Sequence, residues 1–145
     1  SEKVLPQLTE FQKIINIELS NFYNNFKDEK CNFIKEWPKK FYIDSWSNIL
    51  TNQGHNISHI HPSGWISGVF YLKVPKNLQS NEGGIEFSLK GDDFLSDEKD
   101  NIPKIEMLPK EGDIVIFPSS LYHKTIPFNS NEQRMCIAFD IHKIS

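Results

Sequence analysis

The 145-residue sequence has no apolar run near the roughly 20 residues that span a bilayer, and no dense patch of lysine and arginine. The first absence argues against a membrane protein. The second, with a net charge of −3, argues against nucleic acid as a ligand, because phosphate binding needs clustered cations. The sequence opens on the polar stretch SEKVLPQLTE rather than on a secretory signal, so we expect a cytoplasmic protein.

Cysteine is also scarce. Cys31 and Cys136 are the only two, which is too few for a disulfide framework, and reduced thiols are the default expectation. The length suffices for one domain with a real core and is short for two. We therefore predict a single domain over residues 1–145, with a helical N-terminal region (1–40) and a β core (41–145).

One amphipathic helix is predicted near the N-terminus. Between residues 5 and 27, apolar side chains recur at steps of three and four, which is typical of one helix face: Leu8, Phe11, Ile14, Ile15, Leu19, Phe22 and Phe26. Pro6 and Thr9 are plausible start signals. Residues 27–40 predict a loop or a short helical turn that ends at Pro38.

From residue 41 the pattern changes to short β-like runs separated by turn residues. About eight strands are predicted, at 41–51, 56–62, 65–74, 83–89, 104–109, 113–118, 123–128 and 134–144. Residues 90–104 are charged and without periodicity, which indicates a surface loop. Because no crossover helices separate the strands, we expect an antiparallel sandwich or barrel, most simply a jelly roll with the helix packed outside.

Three of the five histidines, His55, His59 and His61, lie within seven residues. A strand places residues i and i+2 on one face, so His59 and His61 would offer two imidazoles to one metal ion. His123, which follows a buried strand and a Pro-Ser-Ser turn, is the candidate third ligand. Three protein ligands with open positions form a catalytic metal site. A lone histidine is more often a hydrogen-bonded structural residue, and that interpretation stays open.

A second constellation lies near the C-terminus. Alternation puts Arg134, Cys136, Ala138 and Asp140 on one strand face and an apolar set on the other. Because the apolar face must pack, Arg134 faces a different space, and a buried, unpaired arginine would be costly. We infer a pocket that takes a carboxylate ligand. Tyr71 could offer its hydroxyl to the same anion, although alone it is better explained as a core aromatic.

Together these residues resemble the Fe(II)- and 2-oxoglutarate-dependent dioxygenases, and in particular a small bacterial and phage group related to prolyl hydroxylases. The resemblance covers residues 41–142 and rests on NISHIHPSGWISGVFYLKVP, GGIEF, EGDIVIFPSSLYHKTIPF and RMCIAFDI. It implies a mainly β, double-stranded β-helix (a jelly-roll or cupin-like barrel) with the N-terminal helix packed outside. It also implies Fe(II), 2-oxoglutarate and O2, and an oxidative decarboxylation of 2-oxoglutarate coupled to hydroxylation of a substrate, such as a peptidyl or free amino acid.

The resemblance extends to single positions. It implies that His59 and His123 ligate iron and that Arg134, about ten residues beyond the distal histidine, grips the far carboxylate of 2-oxoglutarate. Tyr71, in FYL, matches the tyrosine that assists this contact in prolyl hydroxylases. Asn48, in the strand predicted at 41–51, could point into the same cavity.

His61 departs from the family pattern, which usually has a carboxylate there. Three accounts remain open: His61 ligates the metal, water or chloride fills the third position beside it, or the ligands use a shifted register that includes His55. We favour His61 as the ligand because its i+2 relation to His59 is what strand geometry requires.

Two other functions compete with this one. A cupin-type metal-dependent dioxygenase or isomerase would not use 2-oxoglutarate, and GDIVIFPSSLYH is similar to the second cupin motif. However, Trp65 and Ile66 stand where the first cupin motif has glutamate, and a cupin has no reason for Arg134. The third candidate is a non-enzymatic module with a degenerate metal site. The expected partners are small molecules, without nucleic acid or membrane. The N-terminal helix could cover the barrel or pair with a second copy, which leaves a homodimer open.

Overall fold

The computed structural model describes residues 6–93 and 102–144. The chain divides into two compact units, residues 1–39 and 40–145. This boundary falls one residue from the predicted division between the helical region and the β core, and the assignment of both to one domain stays a prediction. No helix in the described ranges is long and apolar enough to cross a membrane.

The N-terminal unit contains two helices, α1 (Pro6–Phe26) and α2 (Asn32–Lys35). Proline suits the first turn of α1 because its missing N–H would have no partner there. Aromatic side chains join the two helices: Phe22 stacks on Trp37 with ring centroids 6.1 Å apart, and Phe33 meets Trp37 edge to face at 6.2 Å. The predicted N-terminal helix is confirmed, and α2 is the short helical turn expected within residues 27–40.

The C-terminal unit consists of antiparallel strands. They are β1 (Phe41–Leu50), β2 (Ile66–Lys73), β3 (Ile85–Ser88), β4 (Lys104–Met107), β5 (Ile114–Pro118), β6 (Tyr122–Thr125) and β7 (Arg134–Lys143). One sheet has the order β1-β7-β2-β5 and the other β4-β3-β6. The mainly β, antiparallel prediction is confirmed. The predicted surface loop covers residues 90–104. Residues 94–101 lie outside the described residues, and β4 begins at Lys104, the last residue of the predicted loop.

The core lies between the two sheets. Tyr71, Val115, Phe117 and Cys136 from the four-stranded sheet form one buried cluster with Ile85 and Phe87 from the three-stranded sheet. Phe87 and Phe117 meet edge to face across this layer, with ring centroids 4.9 Å apart. Gly68 pairs with Phe139 in the β2–β7 register, and a Cβ at Gly68 would lie 2.2 Å from the Phe139 ring. The glycine therefore makes room for a fully buried phenylalanine.

The strand predicted at residues 56–62 is wrong. It forms an isolated bridge between His59 and His123, and the Asn56 carbonyl accepts a further bond from the Thr125 N–H. The backbone there changes partner within two residues: the His59 N–H donates to the His123 carbonyl at 3.1 Å, whereas the His61 N–H donates to the Ser119 carbonyl, which precedes β6, at 3.0 Å. Because Pro62 follows at once and has no N–H to donate, a regular ladder does not form.

Candidate metal centre

The three predicted metal ligands meet at one point. Their ligand atoms, one each from His59, His61 and His123, all lie within 4.8 Å of one another. The paired backbone bonds between His59 and His123 hold their ring centroids 4.3 Å apart, and the His61 ring lies 5.2 and 5.1 Å from the other two. The i+2 spacing thus brings two imidazoles together without a regular strand.

Each of the three rings uses its Nδ1 in a hydrogen bond. His59 Nδ1 donates to the Ile57 carbonyl at 2.6 Å and His123 Nδ1 to the Leu121 carbonyl at 3.1 Å. His61 Nδ1 donates to Asp140 Oδ1 at 2.7 Å. Because a carbonyl only accepts, Nδ1 carries the hydrogen and the Nε2 lone pair stays available. Three imidazoles that meet at one point suit a transition metal such as iron.

Burial keeps His123 neutral. The side chain is 7% exposed, and the resulting desolvation lowers the pKa of His123 to about 4, although its bond to the Leu121 carbonyl acts in the opposite direction. A metal needs the unprotonated ring. This ligand is therefore ready for a metal at neutral pH.

A buried cation lies in the same cavity. Arg134, on β7, is 2% exposed; its Nε donates to the Gly83 carbonyl at 3.0 Å, and its Nη1 lies 3.6 Å from Cys136 Sγ. Its guanidinium carbon is 4.9 Å from the centre of the Tyr71 ring. Among residues 6–93 and 102–144, no carboxylate pairs with Arg134. The charge is buried without a counter-ion, so the site is suited to an anionic ligand.

Tyr71 adds a second unsatisfied group. Its hydroxyl is buried and makes no hydrogen bond of full geometry within the described part of the chain, and Arg134 is the one donor near enough to affect its pKa. Burial raises the pKa of Tyr71 to about 12, against the opposite effect of the nearby Arg134 charge, so the hydroxyl keeps its hydrogen. A neutral donor beside a guanidinium matches what a carboxylate accepts.

One cavity contains all six residues predicted for the site. Its lining includes the three histidines of the cluster together with Arg134, Tyr71 and Asn48. Asn48, on β1, pairs in register with Cys136 on β7. His55 lies elsewhere: its Nδ1 is hydrogen-bonded to the Gln53 carbonyl, and its ring lines an outer groove. Lys124 and Thr125 line both the cavity and this groove, so the two adjoin.

Sequence reasoning missed the role of Asp140. Its carboxylate accepts hydrogen bonds from His61 and, at 2.6 Å, from the Ser67 hydroxyl, which in turn lies 2.8 Å from the Ser119 hydroxyl. Burial alone would raise the pKa of Asp140, but the bonds from His61 and Ser67 outweigh it and hold that pKa below its usual value. Alternation placed Asp140 on the Arg134 face, and no local signal indicated a partner 79 residues away.

Known structures share this fold. A prolyl-4-hydroxylase from Pseudomonas putida matches with a TM-score of 0.54 at 15% identity, over 77% of this chain and 56% of its own. A 2OG-Fe(II) oxygenase family oxidoreductase from Burkholderia pseudomallei gives 0.57 at 11% identity, over 87% and 56%. The viral collagen prolyl hydroxylase of Paramecium bursaria Chlorella virus-1, solved with 2OG, gives 0.58 at 16% identity, over 97% and 76%. The chain thus spans a little over half the length of the two bacterial proteins. The predicted double-stranded β-helix is confirmed.

Sequence comparison identifies the family. No curated protein matches the chain significantly. The family model described as "Putative 2OG-Fe(II) oxygenase" matches residues 44–140, which is about two-thirds of the chain and contains every residue of the cavity named above. The protein belongs to this family of 2OG-Fe(II) oxygenases, whose cofactors are Fe(II), 2-oxoglutarate and O2.

Proposed function

We propose that the protein is a non-haem iron oxygenase that couples oxidative decarboxylation of 2-oxoglutarate to hydroxylation of a substrate. In this proposal His59, His61 and His123 hold the iron, and Arg134 with Tyr71 binds the distal carboxylate of 2-oxoglutarate. The observation that carries it is a single cavity whose lining includes both the histidine cluster and a buried arginine that has no counter-ion among the described residues.

The histidines act through fixed geometry. Because all three Nδ1 atoms are engaged in hydrogen bonds, Nε2 is the ring nitrogen left to bind a metal, and no tautomer change is needed first. Three protein ligands leave coordination positions open for small molecules. When bound, iron and 2-oxoglutarate together supply the activation of O2 for hydroxylation of a C–H bond, with succinate and carbon dioxide as co-products.

Arg134 and Tyr71 orient the co-substrate. The guanidinium can form two charge-assisted hydrogen bonds to a carboxylate, and the Tyr71 hydroxyl can donate a third. Val69, Ile85 and Ala138 supply apolar lining beside them, which excludes water and strengthens these contacts. Asn48 lines the same cavity, where its amide is available to a ligand.

The substrate would reach the metal through the outer groove. The groove adjoins the cavity at Lys124 and Thr125, and Ile57 and Asp92 are among its other lining residues. We propose a peptidyl or free amino acid as substrate, because two of the similar structures are prolyl hydroxylases. A cupin-type enzyme would share the histidines, but it would leave the burial of Arg134 without a purpose.

The test is anaerobic addition of Fe(II) and 2-oxoglutarate to purified metal-free protein. We expect a weak visible absorption band, a rise in melting temperature with 2-oxoglutarate, and succinate formation once O2 is admitted. His123→Ala should abolish metal binding. The matched control is His55→Ala, which removes an imidazole outside the cluster and should bind iron like the wild type.

The outcomes separate the competing functions. Iron binding without any effect of 2-oxoglutarate would favour a cupin-type enzyme. Binding of both without succinate formation would favour a non-enzymatic module. If His55→Ala lost iron while His61→Ala kept it, the ligand set would be the shifted one.

A further inference from the structure

His61 is held differently from the other histidines of the cluster. His59 and His123 each donate Nδ1–H to the backbone carbonyl two residues earlier, which is a neutral acceptor in the same segment. His55, outside the cluster, is bonded in the same way to Gln53. His61 instead donates to Asp140, a carboxylate on β7, at 2.7 Å. One ligand of the three therefore has an anionic partner.

Asp140 is buried, and its carboxylate is oriented by two hydrogen bonds. The residue is 7% exposed, and the same oxygen, Oδ1, accepts from both His61 and the Ser67 hydroxyl. Within the described residues, no lysine or arginine forms an ion pair with Asp140. Burying a carboxylate without a cationic side chain beside it carries a desolvation penalty. A metal ion bound to the other nitrogen of the His61 ring would offset this penalty.

The carboxylate lies behind the cluster and not within it. The ligand atoms that come within 4.8 Å of one another belong to the three histidines and include no oxygen of Asp140. Its hydrogen bond reaches Nδ1 of His61, which leaves Nε2 as the ring nitrogen that can bind a metal. Asp140 can therefore act on a bound metal only through this imidazole.

We propose that Asp140 is a positioning residue for the metal centre, which fixes the ring and tautomer of His61 and makes it a more basic, more anionic donor than His59 and His123. This inference rests on the proposed function, since it requires a metal on the three histidines. A carboxylate behind a ligating histidine typically contributes about 10- to 100-fold to metal affinity.

The backbone around His61 supports the same arrangement. The Ser119 carbonyl accepts the His61 N–H at 3.0 Å, and the Ser119 hydroxyl contacts Ser67, the second donor to Asp140. Gly64 packs against this chain of hydrogen bonds: a Cβ there would lie 2.5 Å from Ser119 Oγ and 3.4 Å from Asp140 Cγ. Gly64→Ala should therefore disturb the support of His61 without removing any bonding atom.

The test is a titration of the metal-free protein with Co(II), followed by visible spectroscopy, which reports affinity and ligand geometry without turnover. Asp140→Asn keeps an acceptor oxygen and removes the charge, and Asp140→Leu removes both. The matched control is Asp44→Asn. Asp44 is an exposed carboxylate that lies opposite Asp140 in the β1–β7 strand register. We expect affinity to fall about tenfold in Asp140→Asn and about 100-fold in Asp140→Leu, with altered Co(II) bands, and to stay unchanged in Asp44→Asn.

A second measurement follows the ring itself. The nitrogen chemical shifts of His61 in the metal-free protein should show one Nδ1–H tautomer in the wild type and a mixture in Asp140→Leu, which a purely structural role of Asp140 would not produce. If Asp140→Leu failed to fold, Asp140→Asn and Gly64→Ala would carry the test by their Co(II) affinities.

The inference is overturned if folded Asp140→Asn binds Co(II) with wild-type affinity and spectrum. An equal loss in Asp44→Asn would also overturn it, because the effect would then be general electrostatics. If the wild type bound no Co(II), the proposed function itself would fail, which distinguishes the two failures.

Discussion

Replacing Arg134 by methionine should separate the stability of the ligand-free protein from the binding of 2-oxoglutarate. Arg134 is the only arginine in the chain, and it is 2% exposed. Methionine retains a long, flexible side chain and removes the charge. We expect the free energy of unfolding to change little and the affinity for 2-oxoglutarate to fall sharply.

Opposing contributions to stability should nearly cancel. Arg134→Met loses the charge-assisted hydrogen bond to the Gly83 carbonyl, about 1.5–3 kcal/mol, and the contact with the Tyr71 ring, about 1–2 kcal/mol. It also relieves the desolvation penalty of a buried ion, which is several kcal/mol. The free energy of unfolding should therefore change by less than about 2 kcal/mol, whereas truncating a buried apolar side chain costs about 2–5 kcal/mol.

For the binding of 2-oxoglutarate, no favourable term offsets the contacts that Arg134→Met removes. Arg134→Met removes the charge-assisted hydrogen bonds of the guanidinium to the carboxylate of 2-oxoglutarate, and the loss of even one of them should weaken binding by about 10- to 100-fold. At 100 times the wild-type Kd, the ligand stabilises the wild type by about 2.7 kcal/mol, and it should stabilise the variant by no more than about 1.4 kcal/mol.

The assay is urea unfolding of the Co(II)-loaded protein with and without 2-oxoglutarate. Lys104→Met is the matched control, because it removes a half-exposed cation outside the cavity and should keep the full ligand effect. If Arg134→Met retained the full stabilisation by 2-oxoglutarate, Arg134 would not be the carboxylate site. If the free energy of unfolding of the ligand-free variant fell by more than about 3 kcal/mol, the burial of Arg134 would reflect a structural role and not ligand binding.

Two further predictions concern the same cavity. Tyr71→Phe should raise the stability of the ligand-free protein by about 1 kcal/mol, because it removes a buried hydroxyl that makes no hydrogen bond of full geometry in the described ranges. It should also weaken 2-oxoglutarate binding. Tyr42→Phe, at an exposed position, should do neither, and a destabilised Tyr71→Phe would contradict the assignment. The metal-free protein should lose up to about 3 kcal/mol of stability as the pH falls from 6.5 to 4. In that window the unfolded chain protonates His123 whereas the folded chain, with a pKa of about 4, does not. The difference between the urea unfolding curves of wild type and His123→Asn isolates this contribution, and a difference that does not vary with pH would refute it.

Much of the fold could be predicted because strand alternation and turn residues are local signals. The alternation in β7 separated Arg134 and Cys136 from the apolar positions, and the structure places both in the lining of one cavity. The helix spacing likewise predicted α1. These features depend on neighbouring residues alone, so a single sequence contains them.

The errors and omissions arise from long-range geometry. Residues 56–62 have strand-like alternation, but the N–H groups of His59 and His61 donate to the His123 and Ser119 carbonyls respectively, which only the position of β6 determines. The contact between His61 and Asp140 depends on the placement of β7 beside β2, where Ser67 pairs with Asp140. No local pattern contains that information, so the partner of His61 could not be predicted.

The position of Asp140 bears on the one departure of this sequence from the resemblance. A third histidine in place of a carboxylate ligand would remove a negative charge from the metal's ligands, which weakens the binding of a divalent cation. The structure places a carboxylate one hydrogen bond behind that same histidine. If Asp140 acts as we propose, the metal, its three histidine ligands and Asp140 together have the same net charge as a site with a carboxylate ligand. The charge would then act through the imidazole, so the donor strength of His61 would depend on a residue that touches no metal.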